Sequence, residues 1–455
     1  MKKYLPILLV LAVTALVIVG LFALRPAPDG AGGGNAAQAD GEEKVIIISP
    51  NNEGIQREFA RAFSEWHQAK YGKPCGVDWR DHGGTSDAVR YIKSEFSRVP
   101  AGIGVDIMWG GGMEPYLQFS EMGLLEKIKI PEETLGRIPK TLAGMPVYDP
   151  AGRWYGTAMS SFGIIYNRTR LHDLKLPEPK TWEDLASPAF FNEVGAADPR
   201  NSGTAQMMVE VILQAYGWEK GFEVMTRTAG NVKSVSRSAS EVPDLVGMGD
   251  IGAGLAIDFY AWLQIKSSGK ERVGFALPDG LTPVTPDAIG VLRGAPHREA
   301  AERFVAFVLS AEGQRLWVLP KGAPGGPVEF ELLRIPVLLS VLKEHEAVTN
   351  VMFDPAAMNA QFDYDPVKAA ARRDSLKDLY GALFVELTPE LKAAWKGVIA
   401  RGLRPEEVKL LCTPPVTEAE LSSLGTTVWG DPVARNDHIK RWTNSAHERY
   451  RQLAR

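Results

Sequence analysis

Three polar turns in the first quarter of the chain carry residues whose types and spacing could do chemistry. They are Ser49-Pro50-Asn51-Asn52-Glu53-Gly54, Asp81-His82-Gly83-Gly84-Thr85-Ser86 and Gly110-Gly111-Gly112. Each follows a short apolar run and precedes a segment with apolar residues at helical spacing. A helix start presents unpaired N–H groups and a partial positive charge, so such turns suit anions. A fourth turn of the same kind, Asp198–Thr204, lies in the second half of the chain. Taken singly, each turn reads as simple capping of a helix by Ser, Thr or Asn. Together they read as a binding edge. Reaction chemistry finds less support: the sequence has no zinc-protease His pair, no phosphate loop ending in Gly-Lys-Ser/Thr and no nucleophile elbow. His345-Glu346 lacks the second histidine of a zinc helix, and of seven scattered histidines only His82 falls in one of these turns.

The elements that must position these turns alternate strand and helix. Val45–Ile48 is a continuous apolar run of the kind a buried parallel strand shows. Ile55, Phe59, Ala62, Phe63 and Trp66 then recur at helical spacing, ending at Tyr71-Gly72. Gly76–Trp79 and Val105–Trp109 are further strands, with helices over Ala88–Phe96 and Glu114–Met122. This alternation predicts a parallel sheet flanked by helices, with ligands beyond the carboxyl ends of the strands. The stretch Gly152–Asn167 ends in the strand-like run Ile164-Ile165-Tyr166 but is interrupted by Thr157, Ser160 and Ser161. We read it as a segment that crosses between two α/β halves and lines the cleft between them. The alternation then resumes: Gly195–Ala197 and Ile251–Ile257 are strands, the latter followed at once by Asp258-Phe259-Tyr260. Val273–Ala276 leads into a return crossover over Leu277–Pro286, and Asp287 precedes a strand over Ala288–Leu292. Beyond Pro320 the pattern is mostly helical, and His438–Leu453 reads as a packed terminal helix.

Composition bounds the possibilities. A chain of 455 residues with 45% hydrophobic and 23% charged residues is an ordinary globular protein, long enough for two domains. A net charge of -4 leaves no basic footprint, so nucleic acid is not expected as a partner. Lys2 and Lys3 precede the apolar run Leu5–Leu24, long enough to span a bilayer with its basic end in the cytoplasm. Residues 1–24 are therefore read as a signal anchor, with a cleaved signal peptide as the alternative, and residues 25–43 as a flexible tether. Two cysteines, Cys75 and Cys412, allow either one long-range disulfide or two separate thiols.

Several segments together resemble one family. They include the exported N-terminus, Val45–Glu53, Asp106–Trp109, Gly152–Gly156 with Ile165–Asn167, Pro199–Thr204, Gly252–Tyr260, Pro286–Ile289, Ala295–Ala301 and Ser310–Gln314. The set resembles the extracellular solute-binding proteins of ABC importers, in particular the ferric-iron-binding branch, over roughly residues 44–325. The resemblance implies an α/β, two-lobed, type 2 periplasmic-binding-protein-like fold with two crossovers, an N-terminal membrane helix and a helical C-terminal extension. Lobe 1 is expected over 44–150 plus 273–320, and lobe 2 over 151–272 plus 321–455. It implies no catalysis and no cofactor, a periplasmic or extracytoplasmic location anchored to the cytoplasmic membrane, and an ABC permease in the inner membrane as partner. The ligand would be a small polar or anionic solute, Fe(III), a phosphonate or similar.

The cleft positions that the resemblance assigns are Asn52, Glu53, Thr85, Ser86, Ser160, Ser161, Ser202, Gly203, Thr204, Asp258, Tyr260 and Asp287. The ferric-iron members place two adjacent tyrosines where this chain has Phe259 and Tyr260, so half of that clamp has no oxygen to give. Their histidine after the first strand corresponds to Glu53, and their anion-holding arginine falls near Ser160–Ser161. Hydroxyls and helix starts suit phosphate, phosphonate or carboxylate, whereas Glu53, Asp258 and Asp287 would suit an amine or a metal. A membrane-tethered sensor with the same fold, and less readily an exported enzyme, are the alternative functions.

Overall fold

The computed structural model describes residues 43–142, 144–353 and 362–455. The expected signal anchor and most of the tether lie outside these residues. Ten strands form one continuous sheet: β1 (Lys44–Ile48), β2 (Gly76–Arg80), β3 (Ile107–Trp109), β4 (Tyr155–Asn167), β5 (Val194–Ala197), β6 (Val232–Ser236), β7 (Ala253–Ile257), β8 (Val273–Ala276), β9 (Val284–Val291) and β10 (Ile335–Pro336). The main path runs β2-β1-β3-β9-β4-β7-β5-β6, with β8 and β10 also paired to β4. β1 pairs in parallel with β2 and β3, and β5 pairs in parallel with β6 and β7. Between these two parallel groups stand β9 and β4, both antiparallel to their neighbours. Two strand–helix halves therefore share a central antiparallel pair, as expected for two lobes joined by chain crossovers.

β4 is the axis of this arrangement. All thirteen of its residues are buried, because β9, β7, β8 and β10 cover it along different parts of its length. A strand enclosed on both faces has no reason to alternate polar and apolar residues. Its hydroxyls sit inside the molecule by making bonds there, not by facing bulk water. The first half is closed by an aromatic cluster in which Phe59 lies 4.8 Å from Trp109 and 4.5 Å from Trp317. Trp109 is thus core.

Two local expectations differ from the structure. β9 begins at Val284, so Asp287 lies within the strand instead of ahead of it. The proline-punctuated run reads as loop, yet Pro286 sits in register opposite Met159, and the ladder shifts register just after it. β6 was not expected, because it is an edge strand with two exposed polar residues and no apolar run. Cys75 and Cys412 are both buried free thiols, and burial pushes each up to about 12.

Beyond residue 362 the chain forms helices over Pro366–Tyr380, Thr388–Ala400, Pro405–Cys412, Glu418–Thr427 and Pro432–Leu453. The later ones pack on the second half, where Trp395 Nε1 donates to Asn231 Oδ1 at 2.7 Å and Trp218 Nε1 to the Val416 carbonyl at 3.2 Å, while Pro366–Tyr380 also packs on the first-half helix Glu114–Glu121. The terminal helix is packed through Trp442, Ala446, Tyr450 and Leu453, as its amphipathic pattern requires.

Candidate functional site

The starts of two helices, one from each half, meet beside the central strands. The helix Thr85–Arg98 begins on Gly84, which offers no side-chain cap, while the helix Gly203–Tyr216 is capped by Ser202 Oγ accepting from Ala205 N at 3.2 Å. The approach is close enough to demand glycine. A Cβ on Gly84 would lie 1.9 Å from the Asn201 carbonyl oxygen, and one on Gly203 would lie 2.6 Å from Thr85 Oγ1. Ser86 Oγ also donates across to the Pro199 carbonyl at 3.3 Å. The third turn completes this wall: Gly110, Gly111 and Gly112 all have positive φ (102°, 89° and 79°), a run that side-chain-bearing residues rarely adopt.

Between these elements lies a cavity of about 80 Å³. The helix starts contribute Thr85, Gly203 and Thr204; the turns contribute Asn51, Gly111 and Gly112. β4 contributes Ser160 and Phe162, and β9 contributes Thr285, Pro286 and Asp287. Phe259 and Tyr260 close one side, and Pro50, Glu114, Met207, Ile257 and Arg334 complete the lining. At roughly 10–15 Å³ per water in this measure, the space holds a compact ligand.

Arg334 dominates the electrostatics. It is 2% exposed, donates from Nη1 to Asp287 Oδ2 at 2.9 Å and from Nη2 to Ser160 Oγ at 2.9 Å, and stacks on Phe259 at 4.4 Å. Its Nε is buried with no hydrogen-bond partner, and so is Asn51 Nδ2. Leu333, just before it, has φ of 51°, a left-handed backbone that costs a leucine about 1 kcal/mol or more. The loop that delivers Arg334 is held from the first half. Glu58 accepts from the backbone N–H of Val328 at 2.9 Å, of Phe330 at 2.8 Å and of Glu329. Burial opposes ionisation of Glu58, but these bonds and Arg61 outweigh it and hold its carboxyl below the usual range.

The carboxylates of the cavity are already committed. Asp287 accepts from Gly112 N at 2.9 Å in addition to Arg334. Glu114 is 5% exposed and accepts from Tyr364 Oη at 2.9 Å, and burial raises its pKa despite Arg373 nearby. Burial likewise raises the Tyr260 phenol. Among the described residues no group of three or more His, Cys, Asp or Glu is placed to hold a metal ion.

Of the residues expected in the cleft, Thr85, Ser160, Gly203, Thr204, Tyr260 and Asp287 line the cavity. The other six stand beside it in structural roles. Asn52 caps the helix Glu53–Tyr71 through Ile55 N, and Glu53 points to solvent against Arg57. Ser86 and Ser202 make the bonds given above. Asp258 is fully buried and accepts from Ser161 N at 2.6 Å, Ser161 Oγ at 2.9 Å and Phe259 N at 2.7 Å, so these two serve each other. Short polar side chains at a helix start bond their own backbone first, which takes Asn52 and Ser202 out of the cavity.

Sequence reasoning missed Arg334 and Glu114, and it placed Asn51 in the first polar turn without assigning it to the cleft. A signal existed for Arg334: it is a lone charge in the apolar run Leu332–Val337, where an unpaired charge would be costly. Glu114, flanked by Met113 and Pro115, carried a weaker version of the same signal.

Comparison with known proteins agrees with this geometry. Residues 115–335 match the family described as bacterial extracellular solute-binding protein. The phosphoglycerate transport regulatory protein PgtC of Salmonella typhimurium is 31% identical over 159 residues, 35% of this chain and 39% of that protein. The Fe(3+)-binding periplasmic protein of Serratia marcescens is 27% identical over 177 residues, 38% of this chain and 51% of that protein. The chain thus spans less than two thirds of the length of these curated relatives. Among solved structures, the periplasmic binding protein AfuA of Actinobacillus pleuropneumoniae, with fructose-6-phosphate bound, superposes with a TM-score of 0.61 at 22% identity. That match covers 75% of this chain and 99% of AfuA, and it establishes the fold.

Proposed function

We propose that this chain, whose residues 115–335 match the bacterial extracellular solute-binding proteins, works as one of them and captures a compact phosphorylated anion outside the cytoplasm. It would hand this solute to an ABC permease of the inner membrane, the two lobes (44–150 with 273–320, and 151–272 with 321–455) closing on it.

One observation carries the reading: the fully buried polar atoms of the cavity lining that lack a partner are donors, Arg334 Nε and Asn51 Nδ2, whereas its carboxylates are paired or held by a hydroxyl. The uncapped start of the helix Thr85–Arg98 adds backbone donors and partial positive charge on the same side. An oxyanion satisfies these groups; a hard cation does not. Fe(III) sites favour several anionic oxygen ligands, and here Phe259 replaces one tyrosine, Glu53 faces solvent, and Asp287 is bound to Arg334. The names of two relatives in the comparison, one concerned with phosphoglycerate and one holding a sugar phosphate, are compatible with the same chemistry.

Titration calorimetry and thermal unfolding against phosphoglycerate, fructose-6-phosphate, inorganic phosphate and ferric citrate test the proposal. At least one phosphorylated compound is expected to bind in the micromolar range or tighter and to raise the unfolding temperature. Tight Fe(III) binding that survives Tyr260→Phe, with no response to any phosphorylated compound, would overturn it.

A further inference from the structure

The helices after residue 362 lie beyond residues 115–335, the part of the chain that matches the solute-binding family. The first of them bears directly on the cleft. Tyr364 is 5% exposed, and its hydroxyl donates to Glu114 Oε1 at 2.9 Å while lying 3.2 Å from Met207 Sδ. Glu114 belongs to the first half and Met207 to the second, and both line the cavity. A single side chain from the extension therefore bridges the two walls.

The helix Pro366–Tyr380 continues this bridge with unequal grips. On the second half Arg372 is fully buried and holds Glu210 in a two-pronged contact, Nε to Oε2 at 3.0 Å and Nη2 to Oε1 at 2.6 Å. Gln214 exchanges hydrogen bonds with the Asp365 backbone at 2.7 and 3.0 Å. Arg200, in the turn that leads to the Gly203 helix, pairs with Glu386 at 2.6 Å. On the first half the polar contacts are fewer and wetter. Lys93 Nζ meets Asp374 Oδ2 at 2.9 Å with both side chains about a quarter exposed, 25% and 27%. Gln118 Nε2 donates to the Ala370 carbonyl at 2.5 Å. Ion pairs that touch water contribute little to stability, whereas a buried pair that loses one partner is strongly penalised. Separation of the two halves would then break these polar contacts together with the packing of Pro366–Tyr380 on the helix Glu114–Glu121, and leave the buried Arg372–Glu210 pair intact.

We propose that Phe362–Tyr380 is a strap, anchored to the second half and latched to the first through Lys93, Gln118 and Glu114, whose release limits opening of the cleft. Opening by a simple bend of β4 and β9 would have to break this latch, so the free protein stays closed most of the time. Solute exchange then follows latch release and not hinge flexibility.

The test measures opening directly and needs no solute, so its outcome is independent of the anion reading. Spin labels at Ser97→Cys and Arg237→Cys, exposed sites on the two halves, are introduced in a Cys75→Ser/Cys412→Ser background. Pulsed electron–electron resonance should give one narrow distance distribution for this protein. The latch variant Lys93→Ala/Gln118→Ala/Tyr364→Phe should add a longer population of at least tenfold greater weight. Circular dichroism and an unfolding curve establish that the variant is folded; if it is not, Tyr364→Phe alone is measured and should give a smaller shift of the same sign. A broad or long distribution already present before the latch is weakened, or an unchanged narrow one in a folded latch variant, would overturn the proposal.

Discussion

Replacing Arg334 by methionine tests the core of the site, because it keeps an unbranched apolar stem and removes the guanidinium with its charge and donors. The guanidinium is 2% exposed and its partner Asp287 is 9% exposed, so the substitution leaves a carboxylate inside the protein with only Gly112 N as donor. Breaking a buried pair from one side costs about 3–5 kcal/mol. The stacking on Phe259, 4.4 Å away, is largely replaced by the thioether, so most of the loss is electrostatic. Chemical denaturation followed by tryptophan fluorescence would read it, Trp317 lying 5.4 Å from the guanidinium. The double variant Arg334→Met/Asp287→Asn removes both charges and is expected to recover at least half of the loss. On binding, the arginine supplies charge-assisted hydrogen bonds worth about 1.5–3 kcal/mol, or roughly a 10- to 150-fold weakening of a phosphorylated ligand. If Arg334→Met binds phosphoglycerate as well as the unaltered protein, or if the double variant is no more stable than the single one, the reasoning about this pair fails.

Other expectations follow from single contacts. Gly84→Ala places a methyl group 1.9 Å from the Asn201 carbonyl in the closed arrangement, an overpacking cost of about 1–3 kcal/mol that should weaken ligand binding more than it lowers stability; equal affinity in calorimetry would contradict the close approach. Burial pushes Asp258 from 3.8 up to about 6, against its hydrogen bonds to Ser161 and the nearby Arg334. A raised carboxylate stabilises the fold most at low pH, so this contribution should fade by about 3 kcal/mol as pH rises from roughly 4 to 6. Asp258→Asn should remove that slope from the stability-versus-pH curve, and an unaltered slope would refute the assignment. Cys75 and Cys412, buried with thiols pushed up to about 12, should not react with a thiol reagent in the folded protein and should both react once it is unfolded.

Much of the fold was legible because its signals are local. The apolar run Val45–Ile48, the three glycine-bearing turns and the helical spacing after each are enough to specify a parallel sheet with its helix starts along one edge. Half of the expected cleft residues line the cavity, and the others stand next to it. What separated them was orientation: Asn52 and Ser202 satisfy nearby backbone groups, and Ser161 and Asp258 satisfy each other, which no spacing rule distinguishes from facing a ligand.

The sequence by itself determined that polar helix starts from two α/β halves would gather around a central strand, because hydrophobic period and turn chemistry act over a few residues. Only the tertiary structure decided what the gathered groups can bind. Arg334 reaches Asp287 from 47 residues away, and Tyr364 reaches Glu114 from 250. Such pairings set the charge of the cavity and the way its walls are tied, and they depend on how distant segments pack once the local elements are already formed.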